Sequence, residues 1–286
     1  MNTVFLNGDY MPIEEAKISP LDRGFLFGDG IYEVIPSYFG EMVGFKGHIN
    51  RLNDGLNEIG IELNWNVAQW QTLCDTLIEK NGAGPLGLYF HVSRGTDTKR
   101  FHAFPVNVTP TVFAMAFEIP VPKTPDLVTV GKGYALSSSE DLRWQRCQIK
   151  STSLLGNVLH FQEGYEAGSQ ETLLYNSNNE LTEASSSNIF IVKDGVIATP
   201  IQDNQILPGI TRRLLIDILA KEGSIPLEER IITLEEVNAA DEIWITSSTK
   251  EIVPVTQLDN KKVGDGNVGT VWLKAATLYA INKFSY

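Results

Sequence analysis

At 286 residues the chain can fill one large domain or two of medium size, each with a real hydrophobic core. Apolar residues make up 43% and charged residues 20%, a globular balance that argues against a disordered chain, and no apolar run reaches the length of a membrane span. A formal net charge of −12 repels nucleic acid and anionic membranes, yet leaves room for a locally positive pocket around a small anion.

Strands are expected at 4–6 and 10–13 around the turn Asn7-Gly8-Asp9, and at 31–38 and 42–45 around Phe39-Gly40-Glu41. Ile49, Leu52, Leu56 and Ile59 follow helical spacing, as do Val67, Trp70, Leu73, Cys74 and Leu77. Leu88, Phe90 and Val92 alternate like a half-buried strand, and 111–117 reads as another. Three prolines in residues 118–126 interrupt both patterns, so a linker is placed there. The expected division is a small N-terminal α+β domain over 1–119, a linker over 120–126 and a larger C-terminal domain over 127–286. Beyond the linker, strands are expected at 128–136, 171–176, 187–193, 196–198, 242–246 and 252–258. Helices are expected after Lys150 (apolar Leu154, Leu155, Val158 and Phe161), over 209–221 up to Gly223, and over 268–282. The sum is an α+β fold in two domains.

Two cysteines outside any CxxC or Cys/His cluster give no zinc site and require no disulfide; no metal site is expected. The N-terminus lacks the basic and apolar regions of a secretory signal, so the expected location is the cytoplasm, without membrane or nucleic-acid partners.

Six stretches could carry chemistry, each open to a plainer reading. Lys150 precedes an apolar helix; burial or a neighbouring cation can turn a lysine into a nucleophile, although on position alone it reads as a surface residue. Gly209-Ile210-Thr211 opens a helix whose N–H groups and hydroxyl suit a phosphate, or simply cap it. Thr246-Ser247-Ser248-Thr249, at a strand end, offers further hydroxyls or an ordinary polar turn. Glu183, beside the run Ser185-Ser186-Ser187, could hold a protonated ring nitrogen or belong to a solvated turn. Residues 94–105, RGTDTKRFHAFP, form a basic loop on an acidic chain; Arg100 and His102 at alternate positions could converge on a carboxylate, or the charges could cluster by chance. On the first long helix, Arg51 of His48-Ile49-Asn50-Arg51-Leu52 could reach a phosphate or face solvent.

Taken in order, these stretches and the segment Asp22-Arg23-Gly24-Phe25-Leu26-Phe27-Gly28-Asp29-Gly30-Ile31-Tyr32-Glu33 resemble the fold-type IV pyridoxal-phosphate enzymes, over nearly the whole chain. The resemblance implies a two-domain fold, a small N-terminal α/β domain and a larger β-barrel-like C-terminal domain with helices. It implies pyridoxal 5'-phosphate as cofactor, held as a Schiff base on Lys150, which would also shuttle the substrate proton. Glu183 would pair with the pyridine nitrogen. Arg51, Ile210, Thr211 and Ser248 would hold the phosphate, with Ser247 close by. Tyr32 would line the substrate pocket. Within the family the Arg-x-His pair is most similar to D-amino acid transaminases, so Arg100 and His102 would bind the substrate α-carboxylate. That loop would come from the neighbouring subunit of a homodimer. It carries one residue more than the pattern before the pair, which makes Lys99 the alternative fork. The implied reaction exchanges an amino group between a D-amino acid such as D-alanine and a 2-oxo acid such as 2-oxoglutarate. A branched-chain L-amino acid aminotransferase and an aminodeoxychorismate lyase are the alternatives, and a catalytically inert binding protein is the alternative of another class.

Overall fold

The computed structural model describes residues 2–126 and 133–286. The chain forms two compact units, Met1–Val121 with Ile149–Leu154, and Pro122–Gln148 with Leu155–Tyr286. The short segment that carries Lys150 therefore counts with the first unit, although it lies beyond the proline-rich stretch.

The first unit contains β1 (Thr3–Leu6), β2 (Asp9–Pro12), α1 (Arg23–Phe27), β3 (Gly30–Tyr38), β4 (Glu41–Met42), α2 (Phe45–Glu58), α3 (Val67–Asn81), β5 (Leu86–Ser93) and β6 (Thr111–Glu118). Its strands pair in the order β2-β1-β6-β5-β3-β4, antiparallel throughout. The second expected hairpin is shorter than its apolar pattern. Gly44 takes the left-handed conformation at φ +64° and Phe45 starts α2. α3 is opened by a capping box between Asn66 and Gln69. Ile49, Leu52 and Leu56 of α2 and Trp70, Leu73 and Leu77 of α3 are buried with Ile31, Ile35, Leu88, Phe90 and Val92 of the sheet. Strand alternation then sends Tyr32, Tyr89 and His91 to the opposite sheet face.

The second unit contains β7 (Tyr134–Glu140), α4 (Leu155–Glu166), β8 (Glu171–Tyr175), β9 (Leu181–Ala184), β10 (Asn188–Lys193), β11 (Val196–Thr199), α5 (Ile210–Glu222), β12 (Leu227–Glu229), α6 (Leu234–Asn238), β13 (Glu242–Ser247), β14 (Glu251–Leu258), β15 (Lys261–Lys262) and α7 (Thr270–Asn282). Of the strand expected over 128–136, residues 128–132 lie outside the described residues. One sheet runs β12-β11-β10-β13-β14-β7-β8-β9, with β15 on β14. β7 is parallel to both β14 and β8, and β12 to β11; the other pairs are antiparallel. Both faces of its centre are buried. Ile189, Ile191, Ile243 and Ile245 join one core, while Phe190 stacks on Trp244 at 6.1 Å on the other side. α5 ends at Gly223, left-handed at φ +71°, as its position after the amphipathic run requires.

α4 reverses the usual arrangement. Its buried positions include His160 and Gly164, which lies so close to β8 that a Cβ would meet Thr172 Oγ1. Leu155, Val158, Leu159 and Tyr165 are exposed by 56–70% at helical spacing along one face. No helix among the described residues is long and apolar enough to cross a membrane.

Candidate active site

In the first unit Lys150 lies on the free edge of β3. Its carbonyl accepts from Tyr32 N–H at 3.0 Å, and Thr152 N–H donates to the Gly30 carbonyl at 3.0 Å. Ile31 and Ser151 form the antiparallel bridge between these bonds. The Lys150 ammonium lies 4.1 Å from the centre of the Tyr32 ring, on the sheet face away from the helices. Tyr89 follows 6.0 Å from Tyr32, and its hydroxyl meets His91 Nδ1 at 3.2 Å. Burial pushes the Tyr89 hydroxyl up to about 12, with help from Tyr32, and pushes His91 down. Tyr89 and His91 escaped the sequence reading. Their signal was the polar half of the alternation that makes Leu88, Phe90 and Val92 core.

Arg51 is buried and committed. Its Nε and Nη2 donate to the two oxygens of Glu33 at 2.6 and 2.9 Å, and His48 Nδ1 lies 2.7 Å from the same carboxylate. Burial alone would raise the Glu33 carboxyl; Arg51 and His48 outweigh it and hold it far below the ordinary carboxylate range. Burial pushes His48 down despite Glu33. A planar fork gripped in this way is fixed before any ligand arrives.

The basic loop divides in two. Arg94 is 5% exposed and bound to Asp29, so it takes no part in a free basic patch. Arg100 and His102 are exposed and share one platform, the Phe27 ring, at 5.0 and 5.2 Å. Lys99 turns instead to Phe101 at 5.1 Å.

In the second unit Glu183 is buried on β9, within a strand where a solvated turn was the plain alternative. Oε1 accepts from Arg143 Nη1 at 2.6 Å; Oε2 accepts from Asn188 Nδ2 and Leu207 N–H, both at 3.0 Å. Burial lifts this carboxyl to about 7, opposed mainly by Arg143. Arg143 is itself held by Asp141, at 2.9 and 2.7 Å, in a bidentate pair. Arg143 and Asn188 were not legible in the sequence, because neither sits in a patterned motif; only the fold brings them to Glu183.

α5 starts at Gly209 without a side-chain cap, and Ile210 and Thr211 in its first turn are buried. Its first N–H groups therefore need an outside acceptor. Nearby in the sheet, Asn188 pairs with Thr246, and the hydroxyls of Ser187, Thr246 and Ser247 are buried without a hydrogen-bond partner among the described residues. Ser248 follows, half-buried. Orphaned hydroxyls and an uncapped helix start suit an anion with several acceptor oxygens. At Gly209 a Cβ would collide with Asn188 Oδ1, so the helix start can approach the strand only with glycine there.

The family model for amino-transferase class IV matches residues 30–258. The chain belongs to the class IV aminotransferases. Among relatives, the D-alanine aminotransferase of Staphylococcus epidermidis is 38% identical over 274 residues, 95% of this chain and 94% of its own. That of Listeria monocytogenes is 36% identical over 268 residues, 94% of this chain and 91% of its own. A branched-chain amino acid aminotransferase from T.th., solved as a complex with N-(5'-phosphopyridoxyl)-L-glutamate, matches with a TM-score of 0.87 at 25% identity, over 99% of this chain and 94% of its own. This class IV enzyme is a pyridoxal-phosphate-dependent aminotransferase, acting between amino acids and 2-oxo acids. Each unit holds donors of the kind that cofactor takes: a half-buried lysine in the first, and a buried carboxylate with buried hydroxyls beside a helix start in the second.

Proposed function

We propose that this aminotransferase moves the amino group between D-amino acids, D-alanine among them, and 2-oxo acids such as 2-oxoglutarate. The observation that carries the reading is the placing of Arg100 and His102 on one ring, with Lys99 turned away. A guanidinium fork beside an imidazole suits an α-carboxylate. The names of the relatives, which match along nearly the whole chain, support the same substrate hand.

Pyridoxal phosphate, when bound, supplies the electron sink that acidifies the substrate Cα–H bond. Lys150 would hold it through Nζ, and the same Nζ would take the proton from the substrate Cα and return it as general acid. Glu183 would accept from its ring nitrogen, held in aim by Arg143, Asn188 and the Leu207 N–H. Arg51, Ile210, Thr211, Ser247 and Ser248 hold the phosphate. Tyr32, beneath Lys150, lines the substrate side, and Arg100 and His102 hold the carboxylate.

The working form is a homodimer in which this loop serves the neighbouring subunit. The outward apolar face of α4 supports a second copy as its cover. Two buried thiols outside any disulfide, Cys74 and Cys147, accord with the cytoplasm.

The test is a side-by-side assay with D-alanine and L-leucine, each with 2-oxoglutarate and added cofactor. Turnover of D-alanine in strong preference is expected. Preference for L-leucine would overturn the reading and place the enzyme with the branched-chain group.

A further inference from the structure

The loop over 94–110 forms no helix or strand between residues 97 and 110, yet it must hold Arg100 and His102 still enough to read a carboxylate. α1 supplies the missing scaffold. Its N-cap, Asp22, accepts from Ser93 Oγ at 2.7 Å and from Thr111 Oγ1 at 2.7 Å, the last residue of β5 and the first of β6. One carboxylate therefore pins both stems of the loop. The stems approach so closely that a Cβ on Gly95, at φ +100°, would collide with the Thr109 carbonyl.

Arg23, the next residue, reaches further out. It is 3% exposed, and a guanidinium so buried needs a partner for every edge. Nε donates to Asp29 at 2.7 Å. Nη1 donates to the carbonyls of Phe101, at 2.5 Å, and Ala103, at 3.3 Å; Nη2 donates to that of His102 at 3.1 Å. These are the three residues that follow Arg100. Asp29 is shared with Arg94, whose other N–H groups hold the carbonyls of Ile59 and Gly60 just past α2. Arg23 and Arg94 keep Asp29 below the ordinary carboxylate range against the opposing effect of burial. Four residues along, Phe27 presents the ring on which Arg100 and His102 rest, and Arg23 lies 4.9 Å from its centre.

We propose that Arg23 is a positioning residue for substrate specificity: through the carbonyls of residues 101–103 it fixes the backbone that aims Arg100 and His102 at the α-carboxylate. The inference rests on the carboxylate role given above to that pair. Only a planar five-donor fork can span one carboxylate and three carbonyls, so a lysine at this position cannot replace it.

The test is a double-mutant cycle on the holoenzyme: Arg23→Met, Arg100→Ala and both together, with KM and kcat for D-alanine and cofactor content by absorbance. Misplacing the pair by about an ångström is expected to raise KM about 10- to 100-fold, with kcat within about threefold and full cofactor content. In the double variant KM should match that of Arg100→Ala alone, because both act through one contact. Additive effects, or a fall in kcat at unchanged KM, overturn the proposal and leave the role of Arg100 standing. An unchanged KM in Arg100→Ala alone removes that role and takes the proposal with it. Should Arg23→Met fail to fold, Arg23→Lys keeps a charge beside Asp29. It is expected to raise KM and to speed amide hydrogen exchange over residues 95–104, and an unchanged KM and exchange rate would overturn the proposal.

Discussion

Glu33 shows what a single side chain can be asked to do. It is fully buried on the helix face of β3, between the imidazole of His48 and the guanidinium of Arg51. Its carboxyl is depressed in the folded chain relative to an ordinary value of 4.5. A depressed carboxyl stabilises the fold above its unfolded value and loses that contribution as pH falls towards the folded one. Glu33→Gln leaves Arg51 buried without its counter-charge, at an expected cost of about 3–5 kcal/mol at neutral pH. Urea unfolding of both proteins should show this difference at pH 7 and a clearly smaller one at about pH 3. An equal gap at both would mean that Glu33 stabilises by shape and not by charge.

At the scale of elements, the start of α5 is the critical approach. Gly209 clears Asn188, and Asn188 holds one oxygen of Glu183. Gly209→Ala is expected to push the amide aside and weaken pyridoxal-phosphate binding about tenfold, in line with one hydrogen bond to a charged group. A cofactor titration followed by absorbance checks it; an unchanged Kd would mean that Asn188 swings away at no cost. Sequence pattern revealed the elements themselves well, because α2, α3 and α5 are amphipathic and β5 alternates. It revealed Lys150, Glu183 and the glycine-led helix start as candidates through type and order. Arg143 lay beyond it, since its meeting with Glu183 depends on β7, β8 and β9 lying side by side. The inward side of α4 was equally hidden. A helix carrying Leu155, Val158 and Leu159 promises a core face, and the fold instead turns His160 and Gly164 inwards.

At the scale of the whole molecule, that inverted helix bears on assembly. Leu159→Asp puts a charge in the middle of the exposed apolar stripe of α4. On the homodimer proposed above, it is expected to shift the protein from dimer to monomer in sedimentation velocity while leaving circular dichroism unchanged, since α4 packs through its other face. A dimer that survives the change would move the interface elsewhere. The edge of β3 has a different bearing, on the order of events during synthesis. Residues 30–32 are bonded on one side by β5 and on the other by residues 150–152. On the ribosome the first half of the chain emerges with the second of those sides bare. Until about twenty-five further residues past the proline-rich stretch have followed, a sticky strand edge faces a crowded solution. The segment that carries Lys150 is thus also the seal on that edge, and a nascent chain stalled short of it is expected to seed aggregation.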